Sequence, residues 1–360
     1  MASGWHAEAS VHSPAGRPGD PAPYSGQNSF TFVMLRLRDP DGVEGFGVTG
    51  RFLADEVAHF LNRVLPGALD EDAEDPVAAL ARKHNPRGMG GVVVSALSAL
   101  DVALTDIRAK RQGVNVAKLL GGAREAAPVH ITCGFPELEI GALADMCAGE
   151  VEAGASGVKV LIAARGRSVA EDLGRLRAVR EAIGPSADLI ADANCRMARG
   201  AALEFVQGAQ DLNLTWLEEP VTGNDRTLLA EMAAHGIPLG AGQMEQSADR
   251  FALLTEAGVN VIQPNAVFAG GFPAAINAAR AAMARGASVS PAGGWDIVNL
   301  HWMCGALSAG AVELHRAQTR IVRLLMPEGL SIRDGRLTAS AAPGLGLTPD
   351  TAALAECRVG

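Results

Sequence analysis

The sequence contains no apolar run near the ~20 residues that a membrane-spanning helix needs, and its opening, Met1 to Gly19, lacks a basic segment followed by an apolar one. A secretory signal is therefore not expected. Cysteines are few: Cys133, Cys147, Cys195, Cys304 and Cys357 are odd in number, scattered and without CxxC spacing. That argues against a disulfide framework or a zinc knuckle and for reduced thiols in a cytoplasmic protein. The formal net charge of −9 includes no basic patch and no interleaving of aromatic with basic residues. Neither nucleic acid nor a membrane is an expected partner.

What the chain does have is apolar mass. Hydrophobic residues make up 48% of 360 residues, enough for a barrel of ~250 residues plus a smaller unit. From Val129 onward, short β-type runs alternate with alanine-rich helical stretches: Val129–Cys133, Val158–Ile162, Leu189–Asp192, Thr215–Glu218, Pro238–Ala241, Val261–Pro264, Ala287–Ser290 and Ala311–Leu314. Their starts are 29, 31, 26, 23, 23, 26 and 24 residues apart, the length of one strand, one helix and two loops. Eight such units without inserted hairpins predict an α/β fold, a parallel (β/α) barrel over residues 128–318. The helix predicted over Ala170–Ile183 puts Leu173, Leu176, Val179 and Ile183 on one face, starts with Glu171 and Asp172, and stops at Gly184-Pro185.

Residues 1–127 read as an α+β domain. Ser29–Arg38 alternates as a strand, Asp39–Gly42 turns, and Val43–Val48 returns. Three helical stretches follow, the longest from about Val92 to Gln112. Residues 319–360 are expected to pack back on this domain, and Pro14–Gly26, rich in Gly, Pro and Ser, to form a mobile loop.

Active sites of such barrels lie at the C-terminal ends of the strands. The polar residues there are Cys133, Lys159, Asp192 with Asn194, Glu218 with Glu219, Gln243, Asn265 and Glu313. Asp192 and Glu218 are 26 residues apart and Glu218 and Gln243 are 25 apart, one βα unit each, so the three can converge on a point. Oxygen donors arranged in this way suit Mg²⁺ or Mn²⁺.

The stretches DGVEGFG (41–47), SALDVALTDIRAKRQGVNVAKLLGG (98–122), AGASGVKV (153–160), ADAN (191–194), WLEEP (216–220), QPNAVFAGG (263–271) and VELH (312–315) make the pattern more specific. On these the chain resembles the enolase superfamily, in its mandelate racemase and muconate lactonizing enzyme branch, from about Phe30 to His315. The resemblance implies a capping domain before the barrel, with a specificity loop near residues 12–28 in which His12 and Tyr24 are substrate-contact candidates. It implies Mg²⁺ held by three strand-end acids and an enediolate formed from a carboxylate substrate by a Lys or His base. Asp192 and Glu218 match two of the ligands, and Glu313 matches a carboxylate that hydrogen-bonds the substrate carboxylate. Because the family is commonly oligomeric, a homo-oligomer is implied too.

The chain departs from that pattern at several positions. The third acid is replaced in Gly242-Gln243, which leaves Gln243, or Glu245 through a shifted loop, as the remaining ligand; the spacing to Pro264 favours Gln243. The family's Lys-x-Lys reads Lys159-Val160-Leu161, its Asp–His pair reads Asn265 and Ala292, and no lysine stands in Val261–Gly271. Racemisation, which needs a base on each face, is not expected. Lys159 stays open between an electrostatic role and a general base whose pKa a cation and burial lower. Asp296 and His301 are the catalytic candidates for the other face, with His301 reading more readily as a helix residue facing away. Cys133, Asn194 and Asn265 are candidates to touch the substrate.

The expected activity is a Mg²⁺-dependent lyase or isomerase acting on a small carboxylate, with dehydration of a sugar acid foremost, because β-elimination runs with one general base. Cycloisomerisation of an acid-sugar lactone is the nearest variant. A ligand-binding paralogue without turnover is the rival from another class. A Schiff-base aldolase on Lys159 is a further one, which Asp192 and Glu218 argue against.

Overall fold

The computed structural model describes residues 4–14, 30–50, 52–70, 75–84 and 90–359. Near the N-terminus, β1 (His6–His12), β2 (Phe32–Arg38) and β3 (Glu44–Thr49) form an antiparallel sheet, extended at the β1 edge by the short strand Arg358–Val359. The chain's tail thus pairs with its beginning. Along β2 the period-two alternation is plain: Val33, Leu35 and Leu37 are fully buried, while Arg36 and Arg38 face outward. Helices α1 (Ala54–Asp70), α2 (Pro76–His84) and α3 (Gly91–Arg111) follow the sheet, and the apolar side chains of α1 and α3 join Val33, Leu35 and Leu37 in one core. Helix α3 lies directly on β3 because Gly45 and Gly47 carry no side chain. A Cβ on Gly47 would sit 1.8 Å from the Ala99 carbonyl oxygen, which gives the Gly-x-Gly of residues 45–47 its physical reason.

The barrel strands are β4 (Ala126–Gly134), β5 (Gly157–Leu161), β6 (Asp188–Asp192), β7 (Trp216–Glu218), β8 (Leu239–Ala241), β9 (Val261–Ile262), β10 (Ser288–Val289) and β11 (Val312–His315). All eight runs of the sequence pattern are strands, parallel in the order β11-β4-β5-β6-β7-β8-β9-β10. A hairpin of β12 (Ile332–Arg333) and β13 (Arg336–Thr338) adds antiparallel to the beginning of β4, at the end of the barrel away from the strand C-termini. The helix Val169–Ile183 forms as its sequence requires. The Ser168 hydroxyl accepts from the Glu171 amide, while Glu171 reaches back to the Ser168 amide, a reciprocal cap that contributes about 1 kcal/mol. Its Leu173, Leu176, Val179 and Ile183 are buried against the barrel, and Gly184, at φ 75°, ends it.

Two expectations change here. His12 ends β1 rather than lying in a loop, is buried against Phe32 (ring centroids 5.3 Å apart), and shares its Nδ1 with the Leu354 carbonyl at 3.0 Å. Its strand was missed because its alternation is short and precedes a Pro- and Gly-rich stretch. Tyr24 and most of Pro14–Gly26 lie outside the described residues. Among the described residues no helix is long and apolar enough to cross a membrane.

His301 is the second correction. It lies in the helix Asp296–Ala306 with its ring directed away from the strand ends, where Nδ1 accepts the Ala117 amide at 3.2 Å and Nε2 donates to the Leu345 carbonyl at 3.2 Å. It ties the barrel to the short helix Val116–Leu119 and to the C-terminal segment, and it is not a catalytic base. Burial lowers its pKa from 6.5 to about 4. The fold therefore holds the neutral ring, and below pH 6.5 the unfolded chain binds the proton that the folded one refuses. Stability is expected to rise with pH between about 4 and 6.5, by on the order of 3 kcal/mol from this residue. Urea denaturation across that range should show H301Q less stable at pH 7 but with a shallower acid dependence; an unchanged slope would contradict the assignment.

Candidate active site

Strand register assembles the site. Lys159 on β5 lies opposite Thr132 on β4, and Asp192 on β6 lies opposite Glu218 on β7, all pointing into the barrel. Glu313 enters from β11. The Lys159 Nζ stands 2.5 Å from Glu218 Oε1, 2.7 Å from Glu313 Oε1 and 3.8 Å from Asp192 Oδ2. All four side chains are buried. Glu313 also accepts from the Thr132 hydroxyl and, on Oε2, from the Gly294 amide at 2.7 Å. The second oxygen of Glu218 accepts from the Trp216 indole at 3.1 Å and the Gln263 amide at 2.7 Å.

The electrostatics follow from this packing. Burial pulls the Lys159 pKa down, but Glu218, Glu313 and Asp192 outweigh it and raise it above the ordinary lysine range. Among these carboxylates Lys159 is held as an ammonium. Burial pushes the Glu313 carboxyl up, yet Lys159 and then His315 and Thr132 hold it down at about 2. An ionised Glu313 accepts hydrogen bonds only. Burial and then the charge of Glu218 raise the Asp192 carboxyl well above its usual range. Three carboxylates against one ammonium leave a formal −3 + 1 = −2 in a buried site. A divalent cation matches that excess, and the oxygen donors suit Mg²⁺. Among the described residues no group of three His, Cys, Asp or Glu is arranged to hold a metal.

Non-glycine residues in the left-handed region cluster at the strand ends: Asn194 (φ 46°), Cys195 (φ 59°), Glu219 (φ 42°) and Trp295 (φ 61°). Such conformations cost about 1–3 kcal/mol each and gather at functional sites. They aim side chains that the strands alone could not. The Asn194 amide N–H holds Asp192 Oδ1 at 2.8 Å, while its side-chain Nδ2 is buried without a partner among the described residues, a donor open to a substrate oxygen. Glu219 turns away from the barrel axis, accepts from the amides of Gly242 (2.7 Å) and Gln243 (3.1 Å), and takes the Cys195 thiol at 2.8 Å. It fixes the loop that carries Gln243. The Gln243 side-chain oxygen lies toward the loop after β10, where a Cβ on Gly293 would be 3.3 Å away. Glu245 is engaged with Arg250 at 2.9 Å and with Asn224 at 3.2 Å.

Two substrate-contact candidates are overturned. Cys133 lies at the irregularity between Thr132 and Gly134 in β4, points outward, and places its Sγ 3.8 Å from that of Cys147 in the outer layer. Asn265 is fully buried, and its amide is committed to the Ala292 and Gly294 carbonyls (2.7 and 3.2 Å) and to the Val267 amide (3.1 Å). It braces the loop after β10 and does not face a ligand. Asp296 is buried at the start of its helix, with Oδ1 lacking a partner among the described residues and its carboxyl pushed up to about 7 by burial. The sequence reading passed over Thr132, Trp216, Gln263 and His315. Period-two counting from Lys159, Glu218 and Glu313 and their register partners would have found them, since each occupies an inward position.

The comparisons with known proteins agree with this geometry. Residues 14–121 match the mandelate racemase / muconate lactonizing enzyme N-terminal domain, and residues 142–353 match the enolase C-terminal domain-like family. The L-talarate/galactarate dehydratase of Salmonella typhimurium is 30% identical over 325 residues, covering 88% of this chain and 80% of that protein. Its crystal structure, liganded with Mg and L-lyxarohydroxamate, superposes with a TM-score of 0.87 at 26% identity, covering 99% of this chain and 92% of that one. The arabinonate dehydratase of Saccharolobus solfataricus is 27% identical over 335 residues, 89% of each chain. The D-galactarolactone cycloisomerase of Agrobacterium fabrum is 28% identical over 298 residues, 78% of this chain and 79% of that protein. On its two domains, its barrel and its strand-end acids, the chain belongs to the mandelate racemase/muconate lactonizing enzyme family of the enolase superfamily.

Proposed function

We propose that this protein is a Mg²⁺-dependent lyase that dehydrates a sugar acid, with cycloisomerisation of an acid-sugar lactone as the variant of the same proton abstraction. The observation that carries the reading is the buried cluster of Asp192, Glu218 and Glu313 around Lys159, two negative charges in excess at the mouth of a barrel whose relatives dehydrate acid sugars. Asp192 and Glu218 would hold the cation, with Gln243 as the neutral third donor. When bound, Mg²⁺ would supply positive charge that stabilises negative charge developing on the substrate.

The protein's own groups do the rest. Lys159, in direct contact with the substrate side of the cluster, releases its proton only in a state where it no longer shares Glu218 and Glu313. In that state its Nζ is the nitrogen placed to take the α-proton. Asn194 offers its Nδ2 to a substrate oxygen. Trp216 and Gln263 keep Glu218 in place. With one amine on one face, elimination fits where racemisation does not.

Two outcomes test the reading. With Mg²⁺ in deuterated buffer, the wild-type protein should exchange the α-hydrogen of an acid within a panel of aldonic and aldaric acids and convert that acid to a 2-keto product. K159A should lose at least about a hundredfold of that exchange, and metal binding with no exchange for any acid would favour the ligand-binding paralogue. Restoring the third acid in Q243E should tighten Mg²⁺ binding about tenfold by isothermal titration calorimetry; unchanged affinity would remove Gln243 from the ligand set.

A further inference from the structure

We infer that Leu161 is a specificity-determining residue: an apolar wall beside the charged cluster that admits a substrate carbon presenting hydrogen and disfavours the epimer presenting a hydroxyl there. The inference rests on the acid-sugar reading above for the class of ligand, and on strand register for the residue.

Register places it. In the parallel ladder of β5 with β6, Gly157, Lys159 and Leu161 lie opposite Asp188, Ile190 and Asp192. Side chains in register across a parallel sheet point to the same side, and residues two apart on one strand share that side. Lys159 meets Glu218 and Asp192 inside the barrel, and Ile190 packs there with Trp216 and Val261. Leu161 therefore points inward as well, while Val158 and Val160 on the same strand face outward and are fully buried. Its backbone stands roughly 7 Å nearer the mouth than that of Lys159, and one interstrand step of about 4.8 Å from that of Asp192.

The surroundings define what that side chain can do. Leu161 is half-buried, packed at its base against the main hydrophobic core and open above it. It carries neither donor nor acceptor, in a cluster whose other members, Lys159, Asp192, Glu218 and Glu313, are all charged. The amides that follow it are committed too: Ile162 donates to the Asp192 carbonyl at 2.8 Å, and Ala163 to Asp172 Oδ2 at 2.7 Å. A substrate whose carboxylate is drawn to a cation at Asp192, with its α-carbon over Lys159, brings the carbons next along its chain, C3 and C4, against Leu161. A hydrogen there fits the leucine methyls, whereas a hydroxyl gives up water and gains no partner from them.

The test measures binding of hexonic acids, paired as epimers at C3 or at C4, to the Mg²⁺-loaded protein by calorimetry, alongside α-hydrogen exchange. In the wild type, one member of a pair should bind at least about tenfold more weakly than the other. L161T and L161V have side chains of nearly the same shape, differing in a hydroxyl against a methyl, and both suit a strand. L161T should bring the ratio within about threefold of one, whereas L161V should keep it near the wild-type value. Equal ratios in L161T and L161V would make the effect one of shape alone and overturn the inference. So would a wild type that binds the two members of every pair equally. Acids that bind with the expected ratios but never exchange would refute the dehydration reading while leaving Leu161 in its role. Exchange without discrimination between epimers would do the reverse.

Discussion

A lysine ammonium buried among three carboxylates is the constraint to which the mouth of this barrel answers. Taking charges out of water costs several kcal/mol per ion unless each is paired and its remaining hydrogen-bonding capacity met. The structure meets it residue by residue: Thr132 and the Gly294 amide serve Glu313, Trp216 and Gln263 serve Glu218, and the Asn194 amide serves Asp192. What the protein leaves unmet is net charge. Lys159 cancels one of three negatives, and the remainder is what gives the pocket its affinity for a divalent cation and for a ligand that brings its own donors.

The scaffold around this cluster is arranged to keep it from relaxing. Parallel strands bring Lys159, Asp192, Glu218 and Glu313 into one cluster, and left-handed turns at Asn194, Cys195, Glu219 and Trp295 lie in the loops beside it. Glu219 links the ends of β6 and β8 through one carboxylate. Asn265, standing where a catalytic partner would be in the racemase branch, serves as a brace for the loop after β10. The family's second base has thus been exchanged for rigidity on that side, in keeping with chemistry confined to one face.

Much of this was legible in the sequence because it is periodic. The eight strands announce themselves through spacing, and the acids at their ends follow from that register; the capping domain shows in the alternation of Val33, Leu35 and Leu37. Other features were not legible because they depend on contacts between distant residues. Nothing local marks His12 as a strand end, since its partners come from Leu354 and Phe32. Cys133 sits at a strand terminus by count, but it alternates with the inward Thr132 and so faces outward. His301 reads from the sequence more readily as a helix residue facing away than as a catalytic candidate, and its bonds to Ala117 and Leu345 identify the partners it ties together. The state of Lys159 is likewise collective, fixed by three carboxylates from three other strands.

Diffraction from a crystal soaked in Mn²⁺, read through the metal's anomalous signal, tests the cation's place most directly. The account predicts a peak bonded to Asp192 and Glu218, with the Gln243 amide oxygen turned toward it and Lys159 withdrawn from its 2.5 Å contact with Glu218. Lys159 unmoved, with no anomalous peak between Asp192 and Glu218 at saturating Mn²⁺, would contradict it.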